Sequence, residues 1–297
     1  MRPPLLAVDG DSFAHRAYHA LPSSIRRAGG RPGNALVGFT TMLLRLWQAE
    51  RPRAVLVGWD TIGVPTYRTE LLPTYQSGRE FDDAILEQLE LLPPLLESAG
   101  IVCAKAPGYE ADDFLGAAVA MEEARGGRAL VATSDRDLFQ LASPSTTILQ
   151  PTRGVSELRR VGPAEVRERY GVEPEQVPDF IALRGDPSDR IPGARGVGEK
   201  SAASLLARYG SLEAMLADGR FEAEADALRV YRRIATVDRS APLPPIEDRQ
   251  PDWRAGAAAA RELGLEALAR RLEEAAALEE AAALEEAAAL EEAPSTR

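Results

Sequence analysis

Four short apolar runs punctuate the first half of the chain: LLAV (5–8), AVLVGW (54–59), GIVCA (100–104) and ALVAT (129–133). Between them the apolar positions take helical spacing, in GNALVGFTTMLLRLWQAE and in FDDAILEQLELLPPLLESAG, the latter interrupted at Pro93-Pro94. Strands alternating with helices predict an α/β fold with a mostly parallel sheet flanked by helices. Near Val161 the pattern changes. GPAEVRERYG and PDFIALRGDPSDRIPGARGVGEKSAASLLARYGSLEAMLADG read as helices and hairpins with no clear strand. A proline-rich connector, APLPPIEDRQPD (241–252), leads to one more helix, AAAARELGLEALARRLEEA, expected to return onto the body. The predicted division is a core over 1–160, a helical region over 161–240, a connector and returning helix over 241–272, and a tail over 273–297.

The tail repeats LEEAAA, with Leu272, Leu278, Leu284 and Leu290 six apart. Six helical steps advance about 240°, so these leucines form no seam, and the paired glutamates have no basic partner within the repeat. A solvated helix or spacer is the expectation.

Charge first argues against a nucleic-acid partner, since the net value is −11. The segment from Glu273 onward holds eight glutamates against one arginine, which leaves residues 1–272 at −4. Basic character is almost wholly arginine, Lys105 and Lys200 being the only lysines. The single cysteine, Cys103, excludes an internal disulfide framework and suits a reducing cytosol. MRPPLLAVDGDS meets an aspartate after four apolar residues and reads as no signal peptide, and no run approaches the ~18 apolar residues of a membrane span.

Acids gather where the predicted strands end. Asp9 follows the first and Asp60 the second; Glu110, Asp112 and Asp113, in GYEADDFLG, come shortly after the third; Asp135 and Asp137, in TSDRDLFQL, follow the fourth. Ligands of open α/β sheets bind beyond the carboxyl ends of the strands, so four segments deliver seven carboxylates to one rim. Asp186 and Asp189, in GDPSDRIPG, add two from the helical region. Taken singly, such residues shape turns or cap helices, as Asp11 beside Asp9 also can. Together, like charges ~5 Å apart repel by ~3 kcal/mol even at an effective dielectric of ~20. Hard divalent cations relieve that repulsion, and with no Cys/His cluster the oxygen donors favour Mg²⁺ or Mn²⁺ over Zn²⁺. Glu110 and Asp113, three apart, are expected on one helix face, with Asp112 turned toward a neighbouring position.

In PGARGVGEKSAASLL, Gly196 and Gly198 allow a tight turn whose N–H groups, opening a helix at Lys200, can hold a phosphate without reading sequence. It is no Walker A loop, because Glu199 separates Gly198 from Lys200, and no dinucleotide fingerprint, because no strand precedes it. His15 and His19, four apart, lack a third ligand and are expected to pack or to face phosphate rather than hold zinc. The loop 61–80 is long and carries Arg68, Tyr75 and Arg79, the kind of loop that is usually functional.

VDGDSFAHRAYHAL, YRTELLPTYQSGR, PGYEADDFLG, TSDRDLFQL and GDPSDRIPGARGVGEKSA, in that order, resemble the successive signatures of the 5′-nuclease (flap endonuclease) family. The likeness is strongest to the 5′→3′ exonuclease domain of bacterial DNA polymerase I, runs over about residues 5–270, and leaves no room for a polymerase. It implies a PIN-like nuclease core with an arch over about 61–92 and a helix-hairpin-helix region. The implied activity is hydrolysis of DNA at 5′ flaps, nicks and 5′ single-stranded ends with two or three divalent ions. The implied actor is a cytoplasmic monomer of replication and repair. By the same resemblance Asp9, Asp60, Glu110 and Asp112 hold one ion, and Asp113, Asp135, Asp137, Asp186 and Asp189 the other, directly or through water. Arg68 and Arg79 steer the scissile phosphate, Arg16 matches a family arginine near the metals, and Tyr75 stacks on an unpaired base. Arg195, Gly196, Gly198, Lys200 and Ser201 grip the duplex, with K⁺ as a further ion at the hairpin. The chain departs from the pattern at Gln76, where many relatives have Lys, and at Arg190, where Asn is usual. The competing expectations are a structure-specific DNA-binding protein with impaired catalysis and a PIN-type ribonuclease.

Overall fold

A computed structural model describes residues 2–78, 81–153 and 157–292. Strand β1 (Leu5–Asp9) is wholly buried and passes directly into α1 (Gly10–Ala20). Gly10 is required at that joint, since a Cβ there would lie 2.5 Å from the Trp59 ring and 2.6 Å from the Gly58 carbonyl. There follow α2 (Asn34–Glu50), β2 (Ala54–Gly58), α3 (Tyr67–Leu71), α4 (Asp83–Ser98), β3 (Val102–Ala104), α5 (Ala111–Ala124) and β4 (Ala129–Ala132). The sheet is completed by β5 (Thr146–Arg153) and β6 (Glu157–Val161), in the order β3-β2-β1-β4-β5-β6. Every pairing is parallel except β5 with β6. The order reverses at β1, which opens a crevice beyond the ends of β1 and β4, where α/β sheets bind ligands.

Alternate side chains of the central strands feed two cores. Leu5, Ala7, Leu56 and Val131 face one side, and Leu6, Val8, Val57 and Ala132 the other. The first core continues into α6 (Pro163–Tyr170), α7 (Val177–Arg184), α8 (Glu199–Tyr209), α9 (Leu212–Ala217) and α10 (Ala225–Ala235). Phe139, Tyr170 and Phe180 stack in series with centroids 5.9 and 5.1 Å apart. The helical region thus shares the sheet's core and is held firmly against its rim. The second core takes α11 (Trp253–Glu262) and the start of α12 (Glu266–Glu292).

Four sequence expectations are corrected. Pro93 and Pro94 do not interrupt α4, because Leu89, Leu92, Leu95 and Leu96 are buried on both sides of them and packing outweighs the lost N–H donors. Strands β5 and β6 went unrecognised, since β6 is exposed along four of its five residues and β5 holds a proline. The returning helix is two helices, broken at Gly264 with φ +72°. The tail begins as packed helix: Leu272, Ala275 and Ala276 are buried, and Glu273, Glu279 and Glu280 pair with Arg261, Arg51 and Arg254. Its partners come from α11 and from the residue that ends α2, not from the repeat. Among the described residues no helix is long and apolar enough to cross a membrane.

Candidate functional site

A cleft of about 1140 Å³ opens over the β1–β4 crevice, between the sheet and the helical region. Among the described residues ten acidic side chains line it: Asp9, Asp11, Asp60, Glu110, Asp112, Asp135, Asp137, Asp186, Asp189 and Glu199. Two arginines, Arg136 and Arg184, share the lining.

Each acid is fixed by where its segment ends. Asp9 closes β1 and caps α1, accepting from the Ser12 N–H (3.0 Å) and the Thr133 hydroxyl (2.7 Å). Asp60 follows β2 and accepts from the Ala111 N–H at 2.7 Å, which ties it to the mouth of α5. Asp11 accepts from the Asp60 N–H at 2.7 Å. Glu110 accepts from the Thr66 hydroxyl at 3.0 Å and the Tyr75 hydroxyl at 3.1 Å. Asp135 accepts from the Asp137 N–H at 2.8 Å, in the turn after β4. Asp186 and Asp189 sit in a loop closed by reciprocal Asp186–Ile191 backbone bonds of 2.8 Å. Arg184 donates to Asp186 at 3.0 Å.

Electrostatics show how crowded this arrangement is. Burial pushes the Asp9 carboxyl up to about 7, adding to the Asp60 and Asp135 charges against hydrogen bonds from Ser12 and Thr133. Burial likewise raises Glu110 to about 7 despite the nearby Arg68, and Asp60 adds to it. Asp11, Asp112 and Asp137 are held well above the ordinary carboxylate range, by burial first and neighbouring acids second. Such a site accommodates protons or cations, not bare negative charge.

The donor set fits hard divalent cations, being all oxygen and in charge excess. Among the described residues no three of these side chains form a ready cage for one ion. The carboxylates instead ring a wide opening, which suits ions that keep part of their water, as Mg²⁺ does. The charge balance gives a prediction. Asp9 and Glu110 bind more protons folded than unfolded between their ordinary values, 3.8 and 4.5, and about 7. Stability of the metal-free protein should therefore fall as pH rises through that window, by an amount on the order of a few kcal/mol. Mg²⁺ or Mn²⁺ should restore it. Thermal melts in EDTA and in Mn²⁺ from pH 4 to 8 provide the check; metal-free stability that climbs with pH would remove the crowded-acid account.

Of the nine acids expected to hold metal, eight line the cleft and Asp113 does not. Asp113 is 0% exposed, and Arg68 donates to both its oxygens at 2.7 Å. Those oxygens also accept from the Glu110 and Asp238 N–H groups. Being three residues after the N-cap, Asp113 reaches back to cap α5 instead of facing outward. Arg68, expected at the scissile phosphate, is 3% exposed, donates from Nε to the Ile234 carbonyl at 3.0 Å and lies 3.5 Å from the Glu110 carboxylate. Tyr75, expected to stack on a base, is 6% exposed with its hydroxyl on Glu110. Arg16 donates to Ser134, which lines the cleft, at 3.1 Å. Arg79 lies outside the described residues.

Arg195, Gly196, Gly198, Lys200 and Ser201 are all exposed at the turn into α8. Gly196 has φ +76°, the left-handed conformation the turn needs. Glu199, beside Lys200, reaches the cleft lining, so hairpin and cleft adjoin. Gln76 donates from its amide to the Tyr75 hydroxyl at 2.8 Å and to Asp189 at 3.0 Å, joining the two acid groups without adding charge. Arg190 stands at φ +57°, a conformation that asparagine tolerates well, and donates to the Ser77 hydroxyl at 2.9 Å. The charged cleft residues missed in the sequence are Asp11, Arg136, Arg184 and Glu199. Only Asp11 carried a signal, its place two residues after a strand-ending aspartate.

Residues 4–171 match the family described as 5′-3′ exonuclease, N-terminal resolvase-like domain, and residues 172–254 match 5′-3′ exonuclease, C-terminal SAM fold. A 5′-3′ exonuclease of Mycobacterium tuberculosis is 37% identical over 259 residues, covering 80% of this chain and 81% of that protein. DNA polymerase I of Mycobacterium bovis is 42% identical over 246 residues, covering 82% of this chain and 27% of that protein. The chain thus spans about a quarter of the length of its polymerase relatives. In fold it resembles T5 5′-exonuclease with bound divalent metal ions (zinc), with a TM-score of 0.67 at 17% identity, covering 92% of this chain and 99% of that one. The T5 D15 flap endonuclease, described as a pseudo-enzyme-product complex with DNA and metal ions, gives a TM-score of 0.65 at 19% identity, covering 92% and 99%.

Proposed function

Because the chain belongs to the 5′-3′ exonuclease family, we propose that it is a metal-dependent 5′→3′ exonuclease and flap endonuclease. Its substrates are DNA with 5′ flaps, nicks or 5′ single-stranded ends, met in replication and repair, and it acts as a cytoplasmic monomer. The observation that carries this reading is the ten-acid cleft at the sheet's switch point. Asp9, Asp60, Glu110 and Asp112 would hold one Mg²⁺ or Mn²⁺, and Asp135, Asp137, Asp186 and Asp189 the second. When bound, such ions lower the pKa of an attacking water and stabilise the leaving oxygen.

The chain's own residues do the rest. Asp11 fixes the Asp60 backbone, and Asp60 fixes the start of α5, so Glu110 and Asp112 are aimed before substrate arrives. Tyr75 and Thr66 orient the Glu110 carboxylate. Arg136 and Arg184, in the lining, would meet a phosphate where Gln76 supplies no charge. The exposed hairpin from Arg195 to Ser201 grips the duplex backbone, and its turn is the place for K⁺. That grip is electrostatic and weakens steeply with salt.

The test is a labelled 5′-flap duplex incubated with Mg²⁺, Mn²⁺ or EDTA. Cleavage is expected with either ion and none in EDTA. Binding without cleavage under every ion would overturn the enzymatic reading, and cleavage of RNA alone would overturn the choice of DNA.

A further inference from the structure

The lip of the cleft differs in chemistry from its floor. Phe81, Ile62 and Val64 line the opening and are 41%, 44% and 40% exposed. Among the described residues, three of the seven exposed large hydrophobic side chains therefore gather at one mouth, which is not the single scatter expected of a plain surface. The Phe81 ring lies on the imidazole of His15, with centroids 5.2 Å apart and planes tilted by 40°, and His15 also lines the cleft. The next residue, Asp82, caps α4 and accepts the Tyr18 hydroxyl of α1 at 2.7 Å, which anchors this point of the chain over α1.

We propose that Phe81, backed by His15 and sharing the cleft lining with Ile62 and Val64, is a stacking platform for an unpaired nucleobase of the substrate. The proposal rests on the nuclease reading and names what holds the single strand at the entrance. The lip side chains Phe81, Ile62 and Val64 carry no charge for a phosphate to pair with, so an entering strand gains its hold there through its bases. Every base presents a π face, and stacking needs no sequence readout. Tyr75, the aromatic nearest the acids, is buried with its hydroxyl committed to Glu110 and cannot take this part. Phe81 precedes the N-cap of α4, where an apolar residue can also act as a staple onto the first helical turn. A leucine serves a staple but not a stack, and this difference decides the test.

The full-length chain, its Phe81→Leu and its Phe81→Trp variants are titrated, with Ca²⁺ present, against a duplex bearing a 5′ arm that contains 2-aminopurine and against a flush duplex. For the wild type and Phe81→Trp the 2-aminopurine emission should be quenched on binding. For Phe81→Leu the quench should vanish and the preference for the armed duplex should fall about tenfold, with an unchanged melting temperature. A Phe81→Leu variant that keeps both quench and preference overturns the platform. So does one that loses affinity for both duplexes together with its melting temperature, since that is a staple. A wild type that neither binds armed DNA nor cleaves it fails earlier, at the nuclease reading itself.

Discussion

Replacing Asp112 with Asn should abolish cleavage while leaving duplex binding measurable and the metal-free protein more stable. Asp112 stands in the first turn of α5 and lines the cleft between the two groups of acids. Its carboxyl is held well above the ordinary range, by burial first and then by Asp135 and Asp9. A neutral amide of the same size removes one charge from that crowd, so repulsion falls and the apoprotein should melt higher. The same change removes an anionic oxygen from the proposed ion site, and the rate should fall by roughly 10²–10³-fold, the scale seen when one transition-state stabiliser is deleted. Duplex affinity, which depends on the exposed hairpin, should change little. Melting in EDTA, binding to a flush duplex and cleavage of a flapped one measure the three effects. An Asp112→Asn variant that cleaves within tenfold of wild type would remove this residue from the ion site. Lower metal-free stability would show instead that Asp112 is structural. Opposite signs in stability and activity are the mark of a residue kept for chemistry at the cost of packing.

How far this site could be read in the sequence depended on whether each residue's role was local. Asp9 and Asp60 follow apolar runs directly, Asp135 follows another with one residue between, and the pattern of a parallel sheet carries them to one edge. Asp112 differs from Asp113 by one residue, or about 100° of helix, and the one local signal that separates them is the capping spacing from Glu110 to Asp113. The deciding contact is Arg68, 45 residues away, whose guanidinium draws Asp113 inward. Arg68 itself lies within a long polar loop, where arginine is ordinarily solvated; its burial follows from α10 lying across α3 and offering the Ile234 carbonyl. Tyr75 was misplaced for the same reason, since its partner Glu110 is 35 residues away. Strand β6 escaped notice because an edge strand exposed on four of five residues carries no apolar run.

Loss of Arg68 should be among the most damaging single changes in the molecule, through folding and not through contact with DNA. In Arg68→Ala the Asp113 carboxylate would stay buried with its bidentate partner gone, and the Ile234 carbonyl would lose its donor. Breaking one side of such a buried pair costs about 3–5 kcal/mol. For a chain of this size that corresponds to a drop in melting temperature on the order of 10 °C. Arg68→Lys should recover only part, because an ammonium cannot match two carboxylate oxygens and a carbonyl at once. A buried ion pair can often be exchanged for apolar residues without penalty, but Arg68→Met with Asp113→Leu should remain less stable than wild type. Asp113 also accepts from the Glu110 and Asp238 N–H groups, and leucine leaves both unsatisfied. Activity per folded molecule, measured well below the melting transition, should fall less than tenfold in Arg68→Lys if the residue acts through structure alone. A variant that melts like wild type yet has lost cleavage would return Arg68 to the scissile phosphate and make its burial incidental.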